Sequence, residues 1–211
     1  MQIHDISPLL SPRTAVWPGD VPFSREVALA QARGDNLDLS SIRTTVHVGA
    51  HTDAPSHYVP HGKPIHERAL ERYLGPCQVI TARVGRGQRI RAEHLERAVR
   101  SERVLLRTGT FPDPEHFNED FAALHPSLVH HLAALGVRLL GIDTPSVDLC
   151  HDAELLSHHA VAEHDLAILE GIVLTDVADG HYTLVALPLP LEGADASPVR
   201  AVLVSGSLTA G

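Results

Sequence analysis

The stretch HVGAHTDAPSHY, residues 47–58, is the part of the sequence from which fold and chemistry are best inferred. Three imidazoles and one carboxylate fall within eleven residues there, and both groups are common ligands of zinc-like ions. The glycine and alanine between the first two histidines permit a tight backbone. A strand that ends at Val48 and then turns sharply could point His47, His51 and Asp53 at one ion. Because Val48 follows His47, this is not the HExxH helix of the zinc proteases. Spacing alone therefore predicts a metal site but not its function.

The pattern HxGxHxDxPxH in this stretch resembles the signature of the cyclase-like metal-dependent hydrolases, a family that includes bacterial kynurenine formamidase. Further segments resemble the same family, so the resemblance spans nearly the whole chain. They are DISP at residues 5–8, WPGD at 17–20, YLGPC at 73–77, GIDTPSVD at 141–148, ILEG at 168–171 and ADASPVRAVL at 194–203. The resemblance implies a swivelling β/β/α-type α/β fold in one domain, residues 1–211, with a mixed β-sheet core and flanking helices.

The resemblance also implies the metal ligands and a cofactor of two divalent ions per subunit. The implied ligands are His47, His51, Asp53, His158 and Glu170. Asp53 and Glu170 would bridge the two ions. The family places a histidine twelve residues before the bridging glutamate, which selects His158 over His159; adjacent helical residues point about 100° apart, so both cannot face one ion. Zinc is the first choice, although manganese or iron also suits histidine and carboxylate ligands.

The same resemblance makes His57 the proton-transferring residue. An amide carbonyl is a poor electrophile and water a poor nucleophile, and a bound ion polarises the first and acidifies the second to a pKa of about 7. The predicted reaction is hydrolysis of N-formyl-L-kynurenine to L-kynurenine and formate, a step of tryptophan degradation through the kynurenine pathway. A hydroxide held by the ions would attack the formyl carbon, and His57 would deliver a proton to the departing aryl amine.

Further residues are singled out by their match to the family. Trp17, the only tryptophan, matches a position that presents an aromatic ring to the substrate, although a lone tryptophan is otherwise more often part of the core. A Ser-Lys pair of the family is replaced here by His151 and Asp152. Asp143 and Asp148 are candidates for groups that orient metal ligands.

Two alternative functions stay open. Another cyclase-like hydrolase, such as one that opens isatin or a related cyclic amide, would use the same metal residues. A metal-binding protein without turnover would also keep them, although a fourth imidazole, that of His57, is of no use to such a protein. The family resemblance further implies a homodimer with its sites close to the subunit interface.

Hydrophobic patterning independently predicts a mixed-sheet α/β domain. Strands are predicted at residues 21–28, 37–48, 77–84, 104–107, 137–142, 168–175, 183–187 and 199–204. Helices are predicted at residues 92–100 and 126–135, with a weaker one at 153–163. Pro126 suits a first helical position and Gly136 suits the left-handed position that follows a helix.

Composition narrows the partners and the compartment. The net charge is −9 and the basic residues are scattered, so a nucleic-acid partner is not expected. Cys77 and Cys150 are far apart, which predicts two buried thiols in a reducing compartment. The N-terminus has no signal-peptide pattern, and no apolar run approaches the roughly 18 residues of a membrane span. We therefore expect a cytoplasmic enzyme that acts on a small molecule.

Overall fold

The computed structural model describes residues 1–206, which contain thirteen strands and three α-helices. The strands are β1 (Gln2–Asp5), β2 (Ser24–Leu29), β3 (Leu39–Arg43), β4 (His51–Asp53), β5 (Leu74–Thr81), β6 (Arg89–Ile90), β7 (Arg103–Arg107), β8 (Ala123–Leu124), β9 (Leu139–Ile142), β10 (Ala167–Leu169), β11 (Gly180–Val185), β12 (Ala196–Pro198) and β13 (Val202–Ser205). The helices are α1 (Pro55–Tyr58), α2 (Pro126–Ala134) and α3 (Leu156–Glu163). Short 3₁₀ turns cover Gln31–Arg33, Ile65–Glu67, Leu70–Arg72 and Ala92–His94.

Seven strands form one mixed sheet in the order β1-β13-β11-β5-β7-β9-β10. The strands from β5 to β10 run parallel to one another, whereas β1, β13 and β11 are paired antiparallel. The parallel half is connected by crossovers, as parallel pairing requires. The predicted mixed-sheet α/β fold is confirmed.

Both faces of the sheet are covered, which explains the continuous apolar runs in its parallel strands. Along β7, Val104 and Leu106 face a core with α2 and α3, while Leu105 faces the opposite core. Leu128 of α2 and Val161 of α3 are fully buried against the first face. A strand with only one covered face would alternate between apolar and polar residues instead.

Three two-stranded sheets lie outside the main one, and one of them positions the site. The antiparallel pair β4–β12 lies beside the end of β10, where His51 and Glu170 form an antiparallel bridge. The others are the antiparallel hairpin β2–β3 and the short parallel pair β6–β8. The bridge joins two segments that are far apart in the sequence.

The predicted helix at residues 92–100 is wrong beyond its first turn. Only Ala92–His94 is helical, because the residues that follow form hydrogen bonds with Thr81 and with the side chain of Gln78 instead. The N–H of Glu96 donates to Thr81 O at 3.0 Å. The side chain of Gln78 donates to Ala98 O at 3.0 Å and accepts from the N–H of Arg100 at 2.8 Å. Helical periodicity in this segment is therefore overridden by tertiary hydrogen bonds.

The second predicted helix is confirmed, and several strand boundaries are corrected. Pro126 is the first residue of α2, and Gly136 has φ of 85°. The weaker helix begins at Leu156 rather than at 153. The strand predicted for 37–48 covers only Leu39–Arg43, and residues 46–50 form a turn. The strand predicted for 168–175 ends at Leu169, because left-handed backbone follows it.

The two cysteines differ in burial, so the prediction that both are buried holds for only one. Cys77 lies within β5 and is buried, whereas Cys150 is half-buried in a loop. Burial raises the pKa of the Cys77 thiol to about 12. Among residues 1–206, no helix is both long and apolar enough to span a membrane.

Candidate metal centre

The turn before β4 presents the first imidazoles to a common point. Gly49 has φ of 59°, a left-handed value that lets the chain reverse direction. His51 Nδ1 lies 2.9 Å from Gly49 O. Because a carbonyl only accepts, this nitrogen carries the proton and leaves Nε2 as a free ligand atom. The local sequence thus sets both the position of His51 and its tautomer.

Glu170 reaches the same point from the end of β10. Its N–H donates to His51 O at 2.9 Å, and its carbonyl accepts from the His51 N–H at 3.1 Å. Its side chain places Oε2 3.1 Å from His51 Nε2. The other oxygen, Oε1, accepts from the Val147 N–H at 2.6 Å. The backbone bridge therefore fixes the spacing between these two side chains.

His158, and not His159, is the histidine of α3 that faces the cluster. His158 is buried and His159 is exposed. His158 Nδ1 donates to Asp148 Oδ2 at 2.9 Å. Its Nε2 lies 3.5 Å from Asp53 Oδ2 and 4.0 Å from Glu170 Oε1. Asp148 is thus placed to orient this ring, as carboxylates commonly do behind metal-bound histidines.

Asp53 lies at the centre of the cluster, and the distances around its carboxylate show whether an ion fits. Its Oδ1 is 3.0 Å from His47 Nδ1 and 3.6 Å from His51 Nε2. Neither contact has hydrogen-bond geometry, and this buried oxygen has no donor among the described residues. Four ligand atoms about 2.0–2.2 Å from one ion would lie about 3.3 Å apart. The spacing and the unsatisfied oxygen therefore fit a divalent cation.

The electrostatics of the cluster also favour a cation. Burial acts to lower the pKa of His47, but Asp53 and Asp195 outweigh it and raise the pKa to about 9. Burial likewise opposes the charged form of His158, yet Asp148 and Asp53 raise its pKa to about 10. The pKa of Asp53 lies well below its ordinary value despite burial, because His158 and His47 surround it. Buried carboxylates thus demand positive charge at this point.

Asp195 is a site residue that sequence reasoning missed. Its Oδ2 lies 2.9 Å from His47 Nε2 and 3.3 Å from His57 Nδ1. It precedes β12, whose first residue Ala196 pairs with Asp53 of β4. The segment ADASPVRAVL was recognised as similar to the family, but no ligand spacing identified the aspartate within it. Only strand pairing brings it to the cluster.

His57 lies at the exposed edge of the cluster, on the short helix α1. Its ring centroid is 4.3 Å from that of His47 and 6.0 Å from that of His158. Ligand atoms of Asp53, His57 and His158 all lie within 4.8 Å of one another. Distance alone therefore permits His57 to be either a ligand or a proton carrier.

A cavity of about 760 Å³ adjoins the cluster, and all six predicted metal and proton-transfer residues line it. Trp17, Phe111 and Phe117 contribute aromatic rings to its wall. Trp17 packs edge-on against Phe117 with ring centroids 5.5 Å apart. Trp17 thus lies where a flat ring could be bound. A cavity with polar groups at one place and aromatic side chains at another suits an aromatic ligand.

The remaining acidic candidates lie apart from the cluster. Asp143 lines the cavity, but its carboxylate accepts from the N–H groups of Thr108 and Gly109, each at 2.9 Å. It therefore holds the loop after β7, and within residues 1–206 none of its side-chain hydrogen bonds goes to a predicted metal ligand. Asp152 pairs with Arg89.

The model of the family described as "Putative cyclase" matches residues 4–149. The chain belongs to the Cyclase family. The matched residues include the HVGAHTDAPSHY stretch and end before the two distal candidates His158 and Glu170. The structure itself brings those two residues to the others.

Solved structures with the same fold cover nearly the whole chain. A potential metal-dependent hydrolase with cyclase activity is 25% identical, with a TM-score of 0.80 and 96% of each chain covered. A predicted metal-dependent hydrolase from Bacillus stearothermophilus is also 25% identical, with a TM-score of 0.79 and coverage of 96% and 97%. An isatin hydrolase bound to the product analogue thioisatinate is 18% identical, with a TM-score of 0.80 and coverage of 98% and 93%. This last likeness shows a shared fold.

Proposed function

We propose that the chain is a metal-dependent amide hydrolase that converts N-formyl-L-kynurenine to L-kynurenine and formate. One observation carries the proposal: three imidazoles and two carboxylates converge beside a cavity walled by aromatic rings, with a further imidazole at their edge. Membership of the Cyclase family and the metal-dependent hydrolases of the same fold support hydrolysis. The similarity of the HVGAHTDAPSHY and WPGD segments to kynurenine formamidase supports the choice of substrate.

The residues that would hold two divalent ions, zinc in the first instance, are His47, His51, Asp53, His158 and Glu170. When bound, such ions polarise a carbonyl oxygen and lower the pKa of water to about 7. Asp53 and Glu170 would offset the positive charge, since both carboxylates are buried. Asp148 would keep the His158 Nδ1 proton on the far side of the ring, so that Nε2 stays available.

His57 would carry the proton to the departing aryl amine. Its Nδ1 lies 3.3 Å from Asp195 Oδ2, and an ionised carboxylate can only accept. Asp195 therefore favours the tautomer in which Nε2 has the free lone pair. In that tautomer Nε2 can take a proton and return it to the amine nitrogen. Asp195 also contacts His47, so one carboxylate would orient a ligand and the proton carrier together.

The aromatic wall would bind the ring of the substrate. Offset or edge-on aromatic pairs contribute about 0.5–1.5 kcal/mol beyond their buried area. Trp17 and Phe117 are already packed in such a pair, which would hold the indole rigid. We further propose that the enzyme works as a homodimer in the cytoplasm on small-molecule substrates, without nucleic-acid or membrane partners.

A second candidate is the opening of isatin or a related cyclic amide. The shared fold with isatin hydrolases favours it, because the same metal residues would serve either reaction. A metal-binding protein without turnover is the remaining alternative. The imidazole of His57 held by Asp195 argues against it, since metal storage does not need an oriented proton carrier.

The test is a direct comparison of substrates. Purified protein would be assayed for formate release from N-formylkynurenine and for ring opening of isatin, before and after chelation and with zinc or manganese restored. Metal-dependent formate release would support the formamidase. Ring opening without formate release would favour the cyclic amide. Failure of the fully metallated protein on both substrates would contradict both candidates.

A further inference from the structure

A second cluster of side chains that could bind a metal ion lies outside the candidate metal centre (the main centre). Glu119, Cys150 and His151 each offer one ligand atom, and the three atoms lie within 4.8 Å of one another. His151 Nε2 is 3.0 Å from Glu119 Oε2. Glu119 and His151 are exposed, and Cys150 is half-buried, so the cluster opens to solvent. Sulfur, imidazole and carboxylate are the three ligand types that zinc uses in proteins, and three protein ligands leave one position for water.

The cluster joins two loops that form part of the cavity wall. The loop that contributes Phe117 to the cavity carries Glu119 two residues later. The loop that contributes Leu155 carries Cys150 and His151 shortly before it. An ion bound by residues of both loops would therefore cross-link the wall of the cavity.

The ion pairs around this cluster leave its side chains available to a metal ion. The neighbouring acids are engaged elsewhere, Asp120 with Arg86 and Asp152 with Arg89. Within residues 1–206, by contrast, Glu119 and His151 form ion pairs only with each other. No other cation would have to be displaced for a metal to bind. None of these three residues is among the proposed ligands of the main centre.

We propose that Glu119, Cys150 and His151 form a third metal site, distinct from the main centre, that binds zinc or a softer divalent ion such as cadmium and cross-links the two loops. The thiolate of Cys150 distinguishes this site from the main centre, because soft ligands select soft or borderline ions. The main cluster offers only nitrogen and oxygen atoms. An ion that binds only the folded protein stabilises it in proportion to the logarithm of its concentration.

Cobalt(II) is the probe, because a thiolate ligand produces a sulfur-to-cobalt charge-transfer band in the near ultraviolet. Full-length protein given two equivalents of zinc per subunit, enough for the main centre alone, would be titrated with cobalt, because cobalt would not displace zinc from an already occupied third site. We expect one equivalent to produce the band, and Cys150→Ser to abolish it. Exchange of cobalt into the main centre would not produce this band, since no sulfur lies there. Cys77 is buried within β5, so its thiol does not supply one.

The variants make the test specific. His151→Asn and Glu119→Gln should weaken cobalt binding at least about tenfold, whereas His159→Asn, an exposed control on α3, should leave it unchanged. Cobalt should also raise the unfolding temperature of the unaltered protein more than that of Cys150→Ser. Absence of the band, or its persistence in Cys150→Ser, would overturn the proposal. None of these measurements depends on amide hydrolysis, so the site and the proposed function succeed or fail separately.

Discussion

Replacing Gly171 with alanine should separate the two segments that carry the proposed metal ligands. Gly171 directly follows Glu170 and has φ of 63°. A β-carbon there would lie 2.2 Å from Gly49 O and 2.9 Å from Gly49 C. Both atoms are backbone and belong to the turn that positions His51. The approach is about 1 Å too close for ordinary van der Waals contact, so the two segments must move apart.

Two energetic costs determine how far Gly171→Ala lowers the free energy of unfolding. Left-handed backbone costs an alanine about 1–2 kcal/mol. Forcing an extra carbon into a packed region adds about 1–3 kcal/mol, because here the obstacle is backbone and cannot rotate away. The free energy of unfolding should therefore fall by about 2–5 kcal/mol. Metal affinity should fall about 10- to 100-fold, as it does when groups that hold ligands in place are lost.

Gly87→Ala is the matched control. Gly87 has φ of 68°, close to that of Gly171, but a β-carbon there would meet no atom within 4 Å. Gly87→Ala should cost only the about 1–2 kcal/mol of left-handed backbone and leave metal affinity unchanged. Urea unfolding of the metal-free proteins would measure both free energies, and competition with a chromophoric chelator would measure affinity. If Gly171→Ala matched Gly87→Ala in both measurements, close contact between the segments would not be what positions the ligands.

Three further substitutions test individual contacts. His57→Asn should lower turnover about 10²- to 10⁴-fold with metal content retained, measured by elemental analysis; parallel loss of metal would instead make His57 a ligand. Asp148→Asn should weaken metal binding about 10- to 100-fold in chelator competition, because it disturbs the His158 ring; unaltered affinity would exclude an orienting role. Although burial opposes it, the ion pair with Arg68 lowers the pKa of Asp165. Asp165 therefore contributes stability above its unfolded pKa of 3.8 that is lost as the pH falls through its lower folded pKa. Asp165→Asn should destabilise the protein at pH 7 and not at about pH 2, and a pH-independent difference would refute this.

The candidate site could be predicted where its residues follow one another in the sequence. His47, His51 and Asp53 lie in one turn and strand, so local spacing already indicates that they converge. Glu170 and His158 were reached only through family spacing, since nothing local reveals the bridge between β4 and β10. Asp195 was missed because its position depends on the pairing of β12 with β4. Residues brought in by strand pairing leave little trace in local sequence.

The fold shows the same division between local and tertiary causes. Helix α2 was predicted well because Pro126 and Gly136 mark its two ends within the segment itself. The segment at 92–100 has comparable periodicity, but hydrogen bonds from Gln78 and Thr81 hold most of it in a non-helical form. Leu95 and Val99 still pack against the core, whereas Ala98, on the same predicted helical face, is exposed. Periodicity therefore identified only part of the buried face and gave the wrong backbone.

The metal cluster and the cavity wall are built from different parts of the chain, and this separation bears on substrate choice. The cluster is held by strand ends and by the backbone bridge between His51 and Glu170. The aromatic wall comes from loops that carry Trp17, Phe111 and Phe117. Loops tolerate change far better than paired strands, so the wall can vary among members of the family while the cluster stays the same. The proposed ligands thus fit the hydrolases of the family as a class, and substrate specificity has to be sought in the wall.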